Sequence, residues 1–144
     1  MPIRCEIVSQ DRIVYQGEAD MVLVPGGNGM MGILPNHSPV LSVLKFGVVT
    51  VRSKNEEQFF TVAGGVVEVQ PDQITILADA AENVEEIDEQ RAEAARKRAE
   101  EMLRRDLGRD SDAYLAAQAA LLRSNLRLDA ARRFRRGRPY RPGS

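Results

Sequence analysis

The side chains able to do chemistry in this chain are few, and most are arginines. The 144 residues include one histidine, His37, and one cysteine, Cys5. A lone histidine with no second imidazole or thiol cluster nearby supplies no metal-ligand set. It has no evident nucleophile to activate either, so it reads as a turn or interface residue. Cys5 lies in an alternating strand pattern and reads as a small apolar residue. As the single cysteine it excludes an internal disulfide framework and fits a reducing compartment. Gly27-Asn28-Gly29-Met30-Met31-Gly32 matches G-x-G-x-x-G. A dinucleotide site needs a helix directly after that motif, and Pro35 and Pro39 forbid one. The segment therefore reads as a tight surface loop. No Walker A lysine, base–nucleophile pair or metal cluster appears, so no catalytic residue is assigned.

The arginines are placed by a change of character between Asp79 and Arg91. Before it come short Val/Ile-rich runs broken by glycine and proline. The runs are Ile3 to Val8, Ile13 to Glu18, Ala19 to Val24, Val40 to Leu44, Gly47 to Arg52, Gln58 to Ala63, Val66 to Val69 and Ile74 to Ala78. Pro25 to Gly32 is expected to be a loop, and Ser53 to Glu56 a hairpin turn. Many short strands joined by tight turns predict an antiparallel sandwich or flattened barrel over residues 1–82.

After the break the pattern is helical. Asn83 with Glu86 reads as a capping box, giving a helix from about Val84 to Leu107 that stops at Gly108. Asp110 or Ser111 caps a second helix running to about Arg135, ended by Gly137 and Pro139. The short turn between them predicts an antiparallel hairpin over residues 83–136. Residues 137–144 are expected to be a disordered tail. At 100° per residue Val84, Ile87, Ala94, Ala95, Ala99 and Met102 share one stripe. Glu89, Glu93, Lys97, Glu100 and Arg104 fall on the opposite, solvated face. Arg91 and Arg98 fall near the middle of the apolar stripe, where a guanidinium must be paired, snorkel or meet an anion. In the second helix Leu115, Ala119, Leu122 and Leu126 form the expected seam, flanked by Arg123 and Arg127. An antiparallel fold would gather the four guanidinium groups, with Asp88 as an internal counter-charge. The stripe is rich in alanine, so its burial stabilises weakly and suits a switch that opens and closes.

Charge is divided unevenly. Residues 1–80 hold five basic and nine acidic side chains, whereas residues 81–144 hold fifteen and twelve. From Arg123 onward eight arginines face Asp129 alone, which calls for an anionic partner. The acidic body and the scarcity of aromatics argue against nucleic acid. No apolar run approaches the length of a membrane span, and no secretory signal is visible.

Several segments in order resemble the epsilon subunit of F-type ATP synthases, bacterial type. They are Gly29-Met30-Met31-Gly32-Ile33-Leu34-Pro35-Asn36-His37-Ser38-Pro39-Val40, Phe60 to Val69, Thr75 to Asp79 and Ile87-Asp88-Glu89-Gln90-Arg91-Ala92. Each is modest alone, and the series, with matching spacing over residues 1–135, is specific. The resemblance implies a ten-stranded β-sandwich followed by a helical hairpin. It also implies a non-catalytic central-stalk subunit of the proton-driven complex, peripheral on the cytoplasmic side of the cell inner membrane and held there through that complex. The sandwich would bind the gamma subunit and the c-ring, with Gly26, Gly27, Asn28, Gly29, Met30, Met31 and Gly32 toward the c-ring and His37 near gamma.

The resemblance further implies a hairpin that either lies folded on the sandwich or extends along gamma. When extended it inhibits ATP hydrolysis by offering Arg123, Arg127, Arg132, Arg133, Arg135 and Arg136 to acidic segments of the catalytic β subunits. No cofactor is required. ATP would be an optional regulatory ligand, because Glu82, Ile87, Asp88, Arg91, Ala92, Arg98, Arg123 and Arg127 fall where ATP-binding members place their motif. The Ala/Leu-rich second helix departs from those members, so nucleotide binding and structural ion pairing remain alternative readings of the arginines. A free-standing ATP-sensing β module is the alternative for the chain as a whole.

Overall fold

The computed structural model describes residues 1–105, 108 and 111–135. The first compact unit covers Met1–Val84, and the second begins at Glu85. Ten strands build the first: β1 (Ile3–Val8), β2 (Ile13–Ala19), β3 (Met21–Gly26), β4 (Gly29–Ile33), β5 (Val40–Val43), β6 (Gly47–Ser53), β7 (Glu56–Val62), β8 (Gly65–Val69), β9 (Gln73–Ala78) and β10 (Ala81–Asn83). They form two five-stranded sheets, ordered β2-β1-β9-β8-β5 and β10-β7-β6-β3-β4. All pairings are antiparallel except β1 with β9, which run parallel. The fold is the expected β-sandwich, with that one parallel pair.

The period-2 patterns explain the core. Ile3, Cys5 and Ile7 of β1 are fully buried, as are Ile74 and Ile76 of β9 opposite them and Val22, Val24, Val49, Phe60 and Val62 of the second sheet. Burial pushes the Cys5 thiol up to about 12, with a smaller contribution from the charge on Glu6. This thiol is therefore an inert core residue. The expected loop over Pro25 to Gly32 is instead a β-hairpin: β3 continues through Pro25 and Gly26, and Gly29 to Ile33 pair back onto it. Only Gly27-Asn28 forms the turn, because glycines at its edges let two short strands close without side-chain conflict. The Ser53 to Glu56 turn forms as expected, with Lys54 and Asn55 both at positive φ. That conformation matches the twist of the flanking strands.

Gly64 and Gly65 carry the chain from β7 in one sheet to β8 in the other. Gly65 has φ +121°, and a Cβ there would stand 2.1 Å from the Leu77 carbonyl oxygen and 2.8 Å from the Ala78 Cα. Backbone atoms of a central strand cannot yield that space.

A 3₁₀ turn, Val84–Glu86, spans the boundary between the units and leads to α1 (Glu89–Arg104), and α2 covers Asp112–Phe134. The expected start of α1 needs correction. Asn83 is not a cap but pairs with Phe60 at the sheet edge. The N-cap is Asp88, whose carboxylate accepts from the Arg91 amide at 3.1 Å. α1 also ends at Arg104, before the expected Leu107, which lies outside the described residues. Gly108 nevertheless has φ +73°, and its carbonyl accepts from Ser111 Oγ at 2.8 Å. Ser111 caps α2 by accepting from the Tyr114 amide at 3.2 Å. The stop signals Gly137 and Pro139, and the expected tail 137–144, lie outside the described residues. Among those residues no helix is long and apolar enough to cross a membrane.

Gly65→Ala should destabilise the sandwich by more than about 2 kcal/mol, because it combines a forbidden φ with a backbone clash. Urea unfolding checks this. A loss below about 0.5 kcal/mol, typical of a neutral surface change, would contradict the sheet-crossing geometry.

Candidate functional site

Two places gather the features that could do work, one in each unit. In the sandwich the first is the β3–β4 hairpin tip. The Gly27 amide donates to the Val43 carbonyl at 2.9 Å, and the Lys45 amide to Pro25 at 2.9 Å, so the tip is tied to the end of β5. A Cβ on Gly27 would meet Val43 Cγ2 at 2.6 Å, which explains a glycine there. Met30 is 61% exposed, while Gly26 is buried and Met31 packs on the core. His37 does not join this tip. It follows β4 at the other end of the sheet, one five-residue strand away, about 16 Å. Its ring Nδ1 donates to the Ser38 carbonyl at 2.7 Å, which fixes the loop locally.

A feature missed by sequence reasoning adjoins the tip. On the outer face of the first sheet Val43 pairs with Val66, Val66 with Leu77, Leu77 with Val8 and Val8 with Ile13. Side chains opposite one another share a face, so these five form one apolar row across the whole sheet. Val43 is 60% exposed, Leu77 48%, Val66 36% and Ile13 59%. The next row carries Glu6, Thr75 and Glu68, with exposed Leu41 at its β5 end, so polar groups border most of the stripe. A contiguous exposed apolar stripe with a polar border marks an interaction surface. The sequence signal was that Val66-Val67 and Ile76-Leu77 are apolar on both phases of the strand period.

In the second unit the helices pack antiparallel through small residues: Ala92 and Ala99 of α1 are buried, as are Ala117, Ser124, Leu128 and Ala131 of α2. Ser124 Oγ donates to the Ala120 carbonyl at 2.8 Å, which satisfies a buried hydroxyl. Both expected stripes therefore rotate. On α1, Ala94 is exposed, and Arg91 and Arg98 are exposed rather than central. The phase was set by Val84 and Ile87, which precede the N-cap and do not belong to the helix. The inward arginine is Arg96. It is half-buried and held on both sides, by Glu93 one turn before and by Glu100 one turn after at 2.6 Å. Glu93 and Glu100, expected on the solvated face, are half-buried with it. On α2, Leu115 and Leu122 of the expected seam are 52% and 57% exposed. Small side chains let helices approach closely, and that approach decided the seam over leucine content.

Around Arg96 the two helices leave an open polar cleft of about 420 Å³, lined by Glu93, Arg96, Asn125, Leu128, Asp129 and Arg132. Arg132 reaches back across it to Glu93 at 3.9 Å. Arg133 instead pairs with Asp129 on its own helix at 3.0 Å. Arg135 donates to the Ile87 carbonyl, tying the end of α2 to the start of α1. The hydrogen bond from Arg96 holds the Glu93 carboxyl below the ordinary range, helped by the charges of Arg96, Lys97 and Arg132 and opposed by desolvation. Arg96 is raised, first by its hydrogen bond to Glu93.

The geometry also gives a local account of the Ile87-Asp88-Glu89-Gln90-Arg91-Ala92 segment. Asp88 caps, and buried Ile87 and Ala92 occupy the N′ and N4 positions of a hydrophobic staple. The Asp88 carboxylate is thus used as a cap and forms no ion pair among the described residues. Arg91, Arg98 and Arg123 are exposed and form none there either. Arg127 is half-buried and engaged. Glu82 sits in β10, paired with Thr61, and Arg136 lies outside the described residues.

Two family models match this chain in succession over residues 2–132. Residues 2–84 match the ATP synthase delta/epsilon chain β-sandwich domain, and residues 85–132 the long α-helix domain of the same chain. The chain belongs to the epsilon-chain family of ATP synthases. Among curated ATP synthase epsilon chains, that of Herpetosiphon aurantiacus is 45% identical over 96% of this chain and 99% of its own. The Moorella thermoacetica chain is 46% identical over 90% and 96%, and the Bordetella avium chain 42% over 94% and 96%. Two solved structures share the fold at lower identity. One belongs to the Euglena gracilis mitochondrial ATP synthase, with TM-score 0.74, 22% identity, and 90% and 81% of the two chains covered. The other belongs to the central stalk and c-ring of the Tetrahymena thermophila mitochondrial enzyme, with TM-score 0.56, 18% identity, and 91% and 97% covered.

In this epsilon-family chain Glu93 should titrate below an ordinary glutamate, about 4.3, when followed by carbon-detected NMR. A carboxylate with a depressed folded value adds stability above its unfolded value, lost as pH falls through the folded one. The contribution of the Glu93–Arg96 pair to α1, with the smaller one of Arg132 across the cleft, should therefore be lost on the acid side. Arg96→Gln should return the Glu93 titration to the ordinary range. An unshifted Glu93 in the parent chain would contradict the Glu93–Arg96 pairing.

Proposed function

We propose that this chain is the non-catalytic central-stalk subunit of a proton-driven rotary ATP synthase, coupling the c-ring through gamma to the catalytic head. The observation that carries the reading is the exposed apolar row from Val43 to Ile13, whose Val43 end is tied to the glycine-rich tip through the Gly27 amide. A rotor-mounted sandwich needs such a surface to grip its neighbours, and the glycine-lined tip lets another backbone approach closely. The Euglena relative, which belongs to an OSCP/F1/c-ring assembly, supports gamma and the c-ring as those neighbours. The subunit would then lie peripherally at the cytoplasmic face of the inner membrane, held through the complex.

The hairpin supplies regulation in this reading. Extended along gamma, α2 would offer exposed Leu115 and Leu122 to an apolar groove, and its arginines to acidic segments of the catalytic β subunits. That would block ATP hydrolysis. Exposed Arg91, Arg98 and Arg123 supply guanidinium groups that suit a triphosphate, so ATP is included as a regulatory ligand of the closed hairpin. Asp88, already used as a cap, would orient Arg91 through the helix start rather than contact the nucleotide.

Deleting residues 109 to 144 should leave proton-coupled ATP synthesis intact and raise ATP hydrolysis by the reconstituted complex. Unchanged hydrolysis would remove the inhibitory role, and a chain that never co-purifies with an ATPase complex would remove the reading as a whole. Calorimetric titration of the full chain with ATP should give saturable heat, abolished in Arg91→Ala and Arg127→Ala. No heat at millimolar ATP would exclude the nucleotide.

A further inference from the structure

The arginines that would engage an acidic partner are not all idle in the closed hairpin. Arg132 crosses from α2 to Glu93 of α1 at 3.9 Å, and Arg135 donates to the Ile87 carbonyl at the start of α1. These two ties join that end of α2 to the start of α1, and both use residues of the expected partner-facing set. Glu93 is held ready for Arg132 by Arg96, which bridges Glu93 and Glu100 along one face of α1.

We propose that Arg132 and Arg135 form an exchange clasp: the guanidinium groups that close the hairpin are the ones an acidic protein segment must capture to hold it open. Closed and partner-bound forms are then mutually exclusive at these side chains. Opening is not a loss of ion pairing but its transfer from Glu93 and the Ile87 carbonyl to the partner's carboxylates. The chemistry suits exchange. The Arg132–Glu93 pair is long, with side chains 56% and 31% exposed, so it is screened and weakly held. The apolar seam beneath it is mostly alanine, so little else resists separation. Arg133 differs: its pairing with Asp129 lies within α2 at 3.0 Å and survives opening unchanged.

This inference rests on the inhibitory reading of α2, and it predicts opposite outcomes for the two ends of one ion pair. Spin labels at exposed Ala94 and Leu122 report helix separation in the full chain, and ATP hydrolysis by the reconstituted complex reports inhibition. Glu93→Gln releases Arg132 while keeping it, so it should raise the open fraction roughly two- to fivefold, the range of an exposed ion pair, and strengthen inhibition. Arg132→Gln should open the isolated chain to a similar extent yet weaken inhibition below the parent level. If neither variant alters the label distances, the clasp is overturned while the inhibitory reading stands. If both open the chain and move inhibition in the same direction, the exchange is overturned. If deletion of residues 109 to 144 leaves hydrolysis unchanged, the inhibitory reading falls and the exchange with it.

Discussion

Everything distinctive about this molecule depends on how thin the seam between α1 and α2 is. The buried positions of the two helices are Ala92, Ala99, Ala117, Ser124, Ala130 and Ala131, with Leu128 the one large side chain among the described residues. A methyl-sized group contributes about 0.8 kcal/mol on burial, against about 1.5–3 kcal/mol for a leucine or isoleucine. The sandwich, by contrast, buries Ile3, Ile7, Ile33, Ile74, Ile76 and Phe60 completely. The same chain therefore carries one unit with a deep core and one with a shallow contact.

Polar groups fit this division. Around the shallow seam the charged side chains are half-exposed and mutually paired, so solvent screens them and they set the direction of docking more than its strength. In the sandwich no such network is needed, and the outer face of the first sheet instead carries an uncovered row of valine, leucine and isoleucine. A permanent partner suits that apolar row, whereas an exchangeable one suits the arginines of α2. The two units thus present surfaces of different chemistry.

The sandwich was largely legible in the sequence because period-2 alternation and tight turns act locally. Strand ends at Val8, Ser53 and Val69 follow from Asp11-Arg12, Lys54-Asn55 and Pro71-Asp72 nearby. β10 was missed, since three residues give no periodicity, and the β3–β4 hairpin was read as a loop because its glycines hid two strands. Cap and stop signals such as Gly108 and Ser111 located the hairpin, but its faces were misphased. Val84 and Ile87 look periodic with α1, yet Asp88 starts the helix after them. Leu115 and Leu122 look like a seam, yet helix approach favours Ala117 and Ser124. Helix-to-helix contact depends on residues far apart in the chain, so the pairing of Arg96, Glu93 and Arg132 could not be read from either helix alone. The apolar row across β5, β8, β9, β1 and β2 had the same obstacle, because it exists only once register is known.

Native-state hydrogen exchange on the full chain tests the central claim most directly, because it measures the opening free energy of each segment separately. Amides of α2 between Leu121 and Leu128 should exchange through openings at least about 2 kcal/mol easier than those of β8 and β9. Equal opening free energies in α2 and the central strands would show one cooperative body, and would contradict a shallow hairpin beside a deep core.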